Sequence, residues 1–193
     1  EMCIRDSNNC GTMRWRTANR FAAPIVVRMP GGFGKDVGDP WHSLSDEVRF
    51  AHAYGWQVIM PSNAADAVGL LRAAMRSPNP SIFFEHRSLL MTGDGSARYP
   101  GDDYVLPLGR ARVVQAGDQV TLVTWGAMVH RCVDAVGQLA QPEAVELLDL
   151  RTISPWDREA VLASVRKTGR CLIVHEDSLT AGFGAEIAGT LAQ

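Results

Sequence analysis

No stretch of this chain approaches the ~20 consecutive apolar residues that cross a bilayer, and its first residues hold no apolar run of the kind that directs export. Those absences argue against a membrane and make the cytoplasm the expected compartment. Cysteine is scarce and scattered, at Cys3, Cys10, Cys132 and Cys171, with no C-x-x-C pair. Such spacing does not suit a metal site and predicts reduced, buried thiols. An excess of one charge is also lacking: 19 basic residues stand against 21 acidic ones, with no long basic run. Nucleic acid and anionic membrane are therefore disfavoured as main partners. What remains is an ordinary globular composition, 46% hydrophobic and 21% charged over 193 residues, enough for one large or two small domains.

The stretch with the most to say is MPGGFGKDVGDPWH, residues 29–42. Four glycines (Gly31, Gly32, Gly34, Gly38) with Pro30 and Pro40 allow the backbone to bend sharply and approach a ligand closely. An apolar strand is expected before it, over residues 24–28, and a helix after it, over 45–54. That places His42 at a strand-loop-helix junction, where open α/β sheets bind ligands, although packing against Trp41 would serve equally well as a local reason for it.

Further along, strands are expected at 57–60 and 82–84, flanking a helix capped by Ser62 whose buried positions are Ala67, Leu70, Leu71, Ala74 and Met75. Residues 92–107 change in composition, with three glycines, two prolines, three aspartates and no periodicity, and are expected to link two domains. The alternation then restarts: strands at 120–124, 145–150 and 171–174 with helices at 128–140 and 157–167, and a last helix after Gly182-Phe183-Gly184. The 128–140 helix is expected to bury Val129, Cys132, Val133, Val136 and Leu139. Strands alternating with helices predict an α/β fold of two doubly wound parallel-sheet domains, at 8–91 and 108–193. Residues 1–7 lead into nothing and are expected to be non-native.

Three long segments carry a resemblance. PIVVRMPGG, WHSLSDEVRFAHAYG and QVIMPSNAADAVGLLRAAMRSPNPSIFFEHR look like the pyrimidine-binding domain in the beta subunit of thiamine-diphosphate-dependent 2-oxo acid dehydrogenases. LPLGRARVVQAGDQVTLVTWGAMV, LLDLRTISPWD and VHEDSLTAGFGAEIA resemble the transketolase-type C-terminal domain of the same subunit. The resemblance implies a fragment of a transketolase-like beta subunit of a pyruvate or branched-chain 2-oxo acid dehydrogenase, inactive by itself. The family pattern would extend upstream of Asn8, where its cofactor-binding glutamate lies, and downstream of Gln193.

By the same resemblance, His42 matches the histidine of the family's H-S-Q-S-x-E segment and is the catalytic candidate, with Leu44 in place of the usual glutamine. An imidazole suits proton movement near neutral pH. A potassium site is implied at Ile25, Ala74, Met75, Ser77 and Asn79; Ser77 replaces the family's aspartate, which favours a plain helix-ending turn instead. Thiamine diphosphate would be shared with an alpha subunit that holds the magnesium, in a heterotetramer of two alpha and two beta chains. A lipoyl acyltransferase core and a second beta chain complete the implied partners. The alternatives are another transketolase-like thiamine enzyme and a non-catalytic α/β interaction module. Gly93-Asp94-Gly95 lacks the Asn-Asn pair of a diphosphate motif, and the Gly182-Phe183-Gly184 run lacks the spacing of a dinucleotide fingerprint. Close strand-helix packing is the expected use of the latter, and His52, His86, His130 and His175 are expected to be partly buried or interface residues.

Overall fold

The computed structural model describes residues 8–34 and 43–193. In chain order the first half contains α1 (Gly11–Arg16), β1 (Val26–Gly31), α2 (Glu47–Ala51), β2 (Gln57–Ile59), α3 (Ala64–Arg76), β3 (Ser81–His86) and α4 (Arg87–Met91). The second half contains β4 (Arg112–Gln115), β5 (Val120–Thr124), α5 (Met128–Val136), β6 (Val145–Asp149), β7 (Thr152–Ser154), α6 (Arg158–Thr168), β8 (Cys171–Ile173) and α7 (Phe183–Leu191). Two four-stranded sheets result, ordered β1-β3-β2-β7 and β4-β6-β5-β8.

The architecture is α/β as expected, with one correction. Neither sheet is purely parallel: β7 runs antiparallel to β2, and β4 antiparallel to β6, each at an edge. Strands of three and four residues are too short to show a period, so neither is visible in the apolar pattern. β7 also crosses over. It follows β6 in the chain yet joins the first sheet, where Met60 N–H donates to Arg151 C=O at 2.8 Å and Ser154 Oγ donates to Trp56 C=O at 3.1 Å.

Side chains alternate along the strands as a pleated backbone requires. In the first sheet Ile59 and Phe83 face α3, packing with Leu70 and Ala74, while Val58, Ile82 and Phe84 face the other way. In the second, Leu122 and Leu147 meet Val129, Cys132 and Val136 of α5, while Val123 and Leu148 face the other way. The two outward-facing sets join Trp125, Leu150, Ile153, Val161, Phe183 and Ile187 in one core. Both halves therefore share their largest apolar cluster.

The helix faces differ from expectation at specific residues. Met75, Val133 and Leu139 are exposed. On α3 the buried stripe runs through Asp66, Gly69, Leu70 and Ala74 instead. The cause is the 92–107 segment, which is no free tether: Leu106 N–H donates to Gly69 C=O, and Arg72 donates to the carbonyls of Gly101 and Tyr104. A Cβ on Gly69 would lie 2.8 Å from Leu106 and Tyr104 side-chain atoms, so only glycine lets this segment cover the helix. The cap of α3 is Asn63, accepting from Asp66 N–H at 2.9 Å, because Ser62 is used elsewhere. Its hydroxyl donates to Asp149 at 2.6 Å. Cys10, Cys132 and Cys171 are free thiols, and no helix among the described residues is long and apolar enough to cross a membrane.

Candidate active site

β1 and β3 are parallel neighbours, so their carboxyl ends lie together, Gly31 opposite His86. Ligands of open α/β sheets bind at such ends. Here the carboxyl end of β8 comes to the same place from the second half, carrying His175 and Glu176, while Trp125 arrives from the end of β5.

His86 is the centre of this cluster. Its side chain is fully buried, its Nε2 lies 2.5 Å from Glu176 Oε2, and its Nδ1 lies 2.9 Å from Ser88 Oγ. Gly32 sits directly on the ring at φ +73°, where a Cβ would fall 2.1 Å from Nε2. No other residue fits that position. Gly32 N–H in turn donates to Leu44 C=O at 3.0 Å, which brings the chain before and after the glycine-rich segment together.

Glu47 opens α2 on the far side of that contact. Although a carboxylate in the first helical turn is ordinarily solvated, Glu47 is only 1% exposed. Its Oε1 accepts from Trp125 Nε1–H at 2.9 Å, and its buried Oε2 has no partner among the described residues. Burial pushes the Glu47 carboxyl above its ordinary value and the charges of Asp177 and Glu176 push the same way, against the Trp125 hydrogen bond. Trp125 stacks on His175 at 5.4 Å and 8° between planes, and His175 Nδ1 is likewise buried without a partner among the described residues.

A cavity of about 380 Å³ opens beside Glu176, walled by Phe33, Ser88, Met91, Met128 and Arg131. Two of its apolar lining residues, Phe33 and Met91, are exposed. A glycine turn, an imidazole-carboxylate pair, a buried carboxyl group and an aromatic stack thus lie in one chain of contacts, with Glu176 of the pair on the cavity wall. Together they can hold and orient protons next to a ligand that the bare backbone admits.

His42 lies outside the described residues, as do Gly38, Pro40 and residues 1–7. Of the residues suggested for potassium, Ala74 and Met75 end α3 with Ser77 and Asn79 just past it, and Ile25 lies beside the start of β3. Ile25 C=O accepts from Ser81 N–H, Ala74 C=O from Ser77 N–H, and Ser77 Oγ from Asn79 N–H. Arg14 Nη1 donates to Asn79 Oδ1 at 2.8 Å, while the Met75 side chain faces solvent. Sequence reasoning missed Glu47, Trp125 and Glu176 as site residues; the signal for the last was its position, three residues past a strand that ends beside the chemistry. Gly182 and Gly184 do pack closely, a Cβ on Gly184 falling 2.4 Å from His175 Nε2.

A second buried cluster ties the halves together behind the site. Asp149 accepts from Ser62 Oγ, from Arg112 Nη2 at 3.2 Å and from Arg151 N–H at 3.0 Å. Burial pushes its carboxyl up, and those three donors pull it back. Arg151 reaches Asp66 at 3.4 Å and the carbonyls of Arg110 and Ala111. His130 Nε2 lies 2.7 Å from Ser62 C=O.

Comparisons with known proteins match both halves of the chain. The transketolase pyrimidine-binding domain model matches residues 7–92, and the transketolase C-terminal domain model matches residues 109–193. The beta 2 subunit of Arabidopsis thaliana mitochondrial 2-oxoisovalerate dehydrogenase is 42% identical over 191 residues, covering 96% of this chain and 52% of that one. The 2-oxoisovalerate dehydrogenase beta subunit of Bacillus subtilis is 40% identical, covering 94% of this chain and 55% of its own length. The pyruvate dehydrogenase E1 component beta subunit of Porphyra purpurea is 38% identical, at 94% and 54%. This chain thus spans about half the length of these relatives. A solved structure described as a split-gene transketolase, an inactive beta4 tetramer, superposes with a TM-score of 0.69 at 23% identity, covering 96% of this chain and 59% of that one, a likeness of fold. With both halves matched in chain order, the chain belongs to the transketolase family, with its pyrimidine-binding and C-terminal domains.

Proposed function

We propose that this chain supplies the beta-side half of a thiamine-diphosphate site in a 2-oxo acid dehydrogenase, with His42 as a catalytic residue. The observation that carries the proposal is the 38–42% identity to named beta subunits over nearly the whole chain. The site's construction supports it. The carboxyl ends of both sheets converge on a turn whose Gly32 has no room for a side chain, and the buried Glu47 and His175 each keep a polar atom without a partner among the described residues. Those features fit a polar, flat cofactor approached from one side.

Thiamine diphosphate, when bound, provides the electron sink for loss of carbon dioxide from a 2-oxo acid. This chain's part is to bind, orient and handle protons. Backbone at the glycine turn would lie against the cofactor's near side, and His42 would move a proton to or from the substrate-derived group. The alpha chain would hold the diphosphate and magnesium, and the exposed Phe33 and Met91 beside the cavity are suited to being covered by a neighbouring chain. A lipoyl group on an acyltransferase core would accept the acyl product, and a second beta chain would complete the heterotetramer. For compartment we keep the cytoplasm, noting that the Arabidopsis relative is mitochondrial by name. We give Ile25, Ala74, Met75, Ser77 and Asn79 a structural role: the Arg14 guanidinium at Asn79 already supplies the positive charge that potassium would bring.

The test is reconstitution of the full-length chain with its alpha partner, followed by carbon dioxide release and acyl transfer from pyruvate and from a branched-chain 2-oxo acid. His42→Ala should reduce turnover by about 10²-fold or more. Unchanged turnover would remove His42 from the chemistry.

A further inference from the structure

His86 is held at both ring nitrogens, and the two groups that hold it share a cavity wall. A carboxylate only accepts hydrogen bonds, so Glu176 Oε2, at 2.5 Å, takes the one from Nε2–H. In the neutral ring that leaves a lone pair on Nδ1, and the group facing it at 2.9 Å is the Ser88 hydroxyl. The imidazole is fully buried, with Gly32 so close that a Cβ there would fall 2.1 Å from Nε2, which fixes the ring between its partners. Ser88 is only half-buried: with Glu176 it lines the cavity of about 380 Å³, beside Phe33, Met91, Met128 and Arg131. A serine that merely satisfies an imidazole two residues away needs neither a cavity nor a carboxylate on the ring's other nitrogen. Both are present, in the order of contacts that activates a hydroxyl: nucleophile, base, and a third group orienting the base. Relative to the serine-protease arrangement the two ring nitrogens are exchanged.

We propose that Ser88, His86 and Glu176 form an acyl-transfer site that takes a short-chain acyl ester or thioester from this cavity. Ser88 and His86 are its catalytic residues, and Glu176 is a positioning residue. The side chains of Phe33, Met91 and Met128 suit an acyl chain of a few carbons, and the Arg131 guanidinium suits the oxygen that becomes negative when the carbonyl is attacked. Ser88 Oγ bonds to the carbonyl carbon while its proton passes to Nδ1. The bond to the alkoxide or thiolate then breaks, and that leaving group carries the proton away. Water repeats the sequence on the acylated serine, restoring the hydroxyl and releasing the carboxylic acid. Nothing is oxidised or reduced, and neither His42 nor thiamine diphosphate takes part.

The experiment uses the full-length chain assembled with its alpha partner, free of thiamine diphosphate, as wild type, Ser88→Ala and Glu176→Gln. Hydrolysis of 4-nitrophenyl butyrate is followed, a fluorophosphonate probe is located by peptide mass spectrometry, and far-ultraviolet dichroism checks that each variant is folded. Wild type should carry the probe on Ser88. Ser88→Ala should lose the probe and hydrolyse the ester about 10²-fold more slowly. Glu176→Gln still accepts from Nε2–H but lacks the charge that steadies a protonated ring, so kcat should fall about ten- to a hundredfold with KM unchanged. Hydrolysis at the same rate in wild type and Ser88→Ala would overturn the proposal, as would a probe found on other residues alone. A folded Glu176→Gln with wild-type kcat would remove Glu176 from the site.

Discussion

Glu47 sits where the first turn of an exposed helix would put a solvated acid, and it is buried instead. Because burial raises its pKa, the folded state binds this proton more tightly than the unfolded state. The sign follows from linkage: the contribution to stability is complete below the ordinary value of 4.5 and is lost as pH rises through the folded value. Glu47→Gln keeps an oxygen for Trp125 N–H and removes the ionisation. The variant should therefore match wild type in acid and exceed it in melting temperature at pH 8. Parallel curves of melting temperature against pH for the two proteins would contradict this.

At the scale of elements, Ser62 and Asn63 exchange the roles that pattern assigned them. Pattern put Ser62 at the start of α3, yet the cap is Asn63 and Ser62 reaches the other sheet. Removing each should therefore cost by a different mechanism. Asn63→Ala should lower stability by about 1 kcal/mol, as loss of a helix cap does. Ser62→Ala removes a hydroxyl bonded to a buried carboxylate and should cost about 2 kcal/mol. Chemical denaturation of both variants checks the order, and equal losses would return Ser62 to the capping role. β7 teaches a related lesson. Three residues cannot declare themselves a strand; β2 makes them one by offering an open edge, and the connection after β6 is long enough only to reach it.

The whole molecule behaves as one body for two reasons. The largest core cluster draws on both halves, and the Asp149, Arg112, Arg151 and Asp66 charges meet across the join. Arg151 is the least replaceable of these, being nearly buried, with three acceptors on its guanidinium. Arg151→Met would leave Asp66 short of a partner and should cost about 3–5 kcal/mol, the range for breaking a buried ion pair. Unfolding of wild type and variant should remain a single transition, seen at one midpoint by tryptophan fluorescence and by far-ultraviolet dichroism. Two separated midpoints would mean that the halves unfold independently.

Much of this was legible in the chain itself, because periodicity is a local property. The strand at Val120–Thr124 and helices α3, α5 and α6 follow from apolar spacing, and the glycine-rich turn from composition. Other features depend on residues far apart in sequence. Whether Met75 is buried depends on where residues 101–106 pass over α3, and whether Glu47 is an ordinary surface acid depends on Trp125, 78 positions away. His86 reads locally as a histidine ending a strand. Only the tertiary fold sets Glu176 against one ring nitrogen and Gly32 against its face, since burial and partnership are decided by what the second sheet brings to the end of the first.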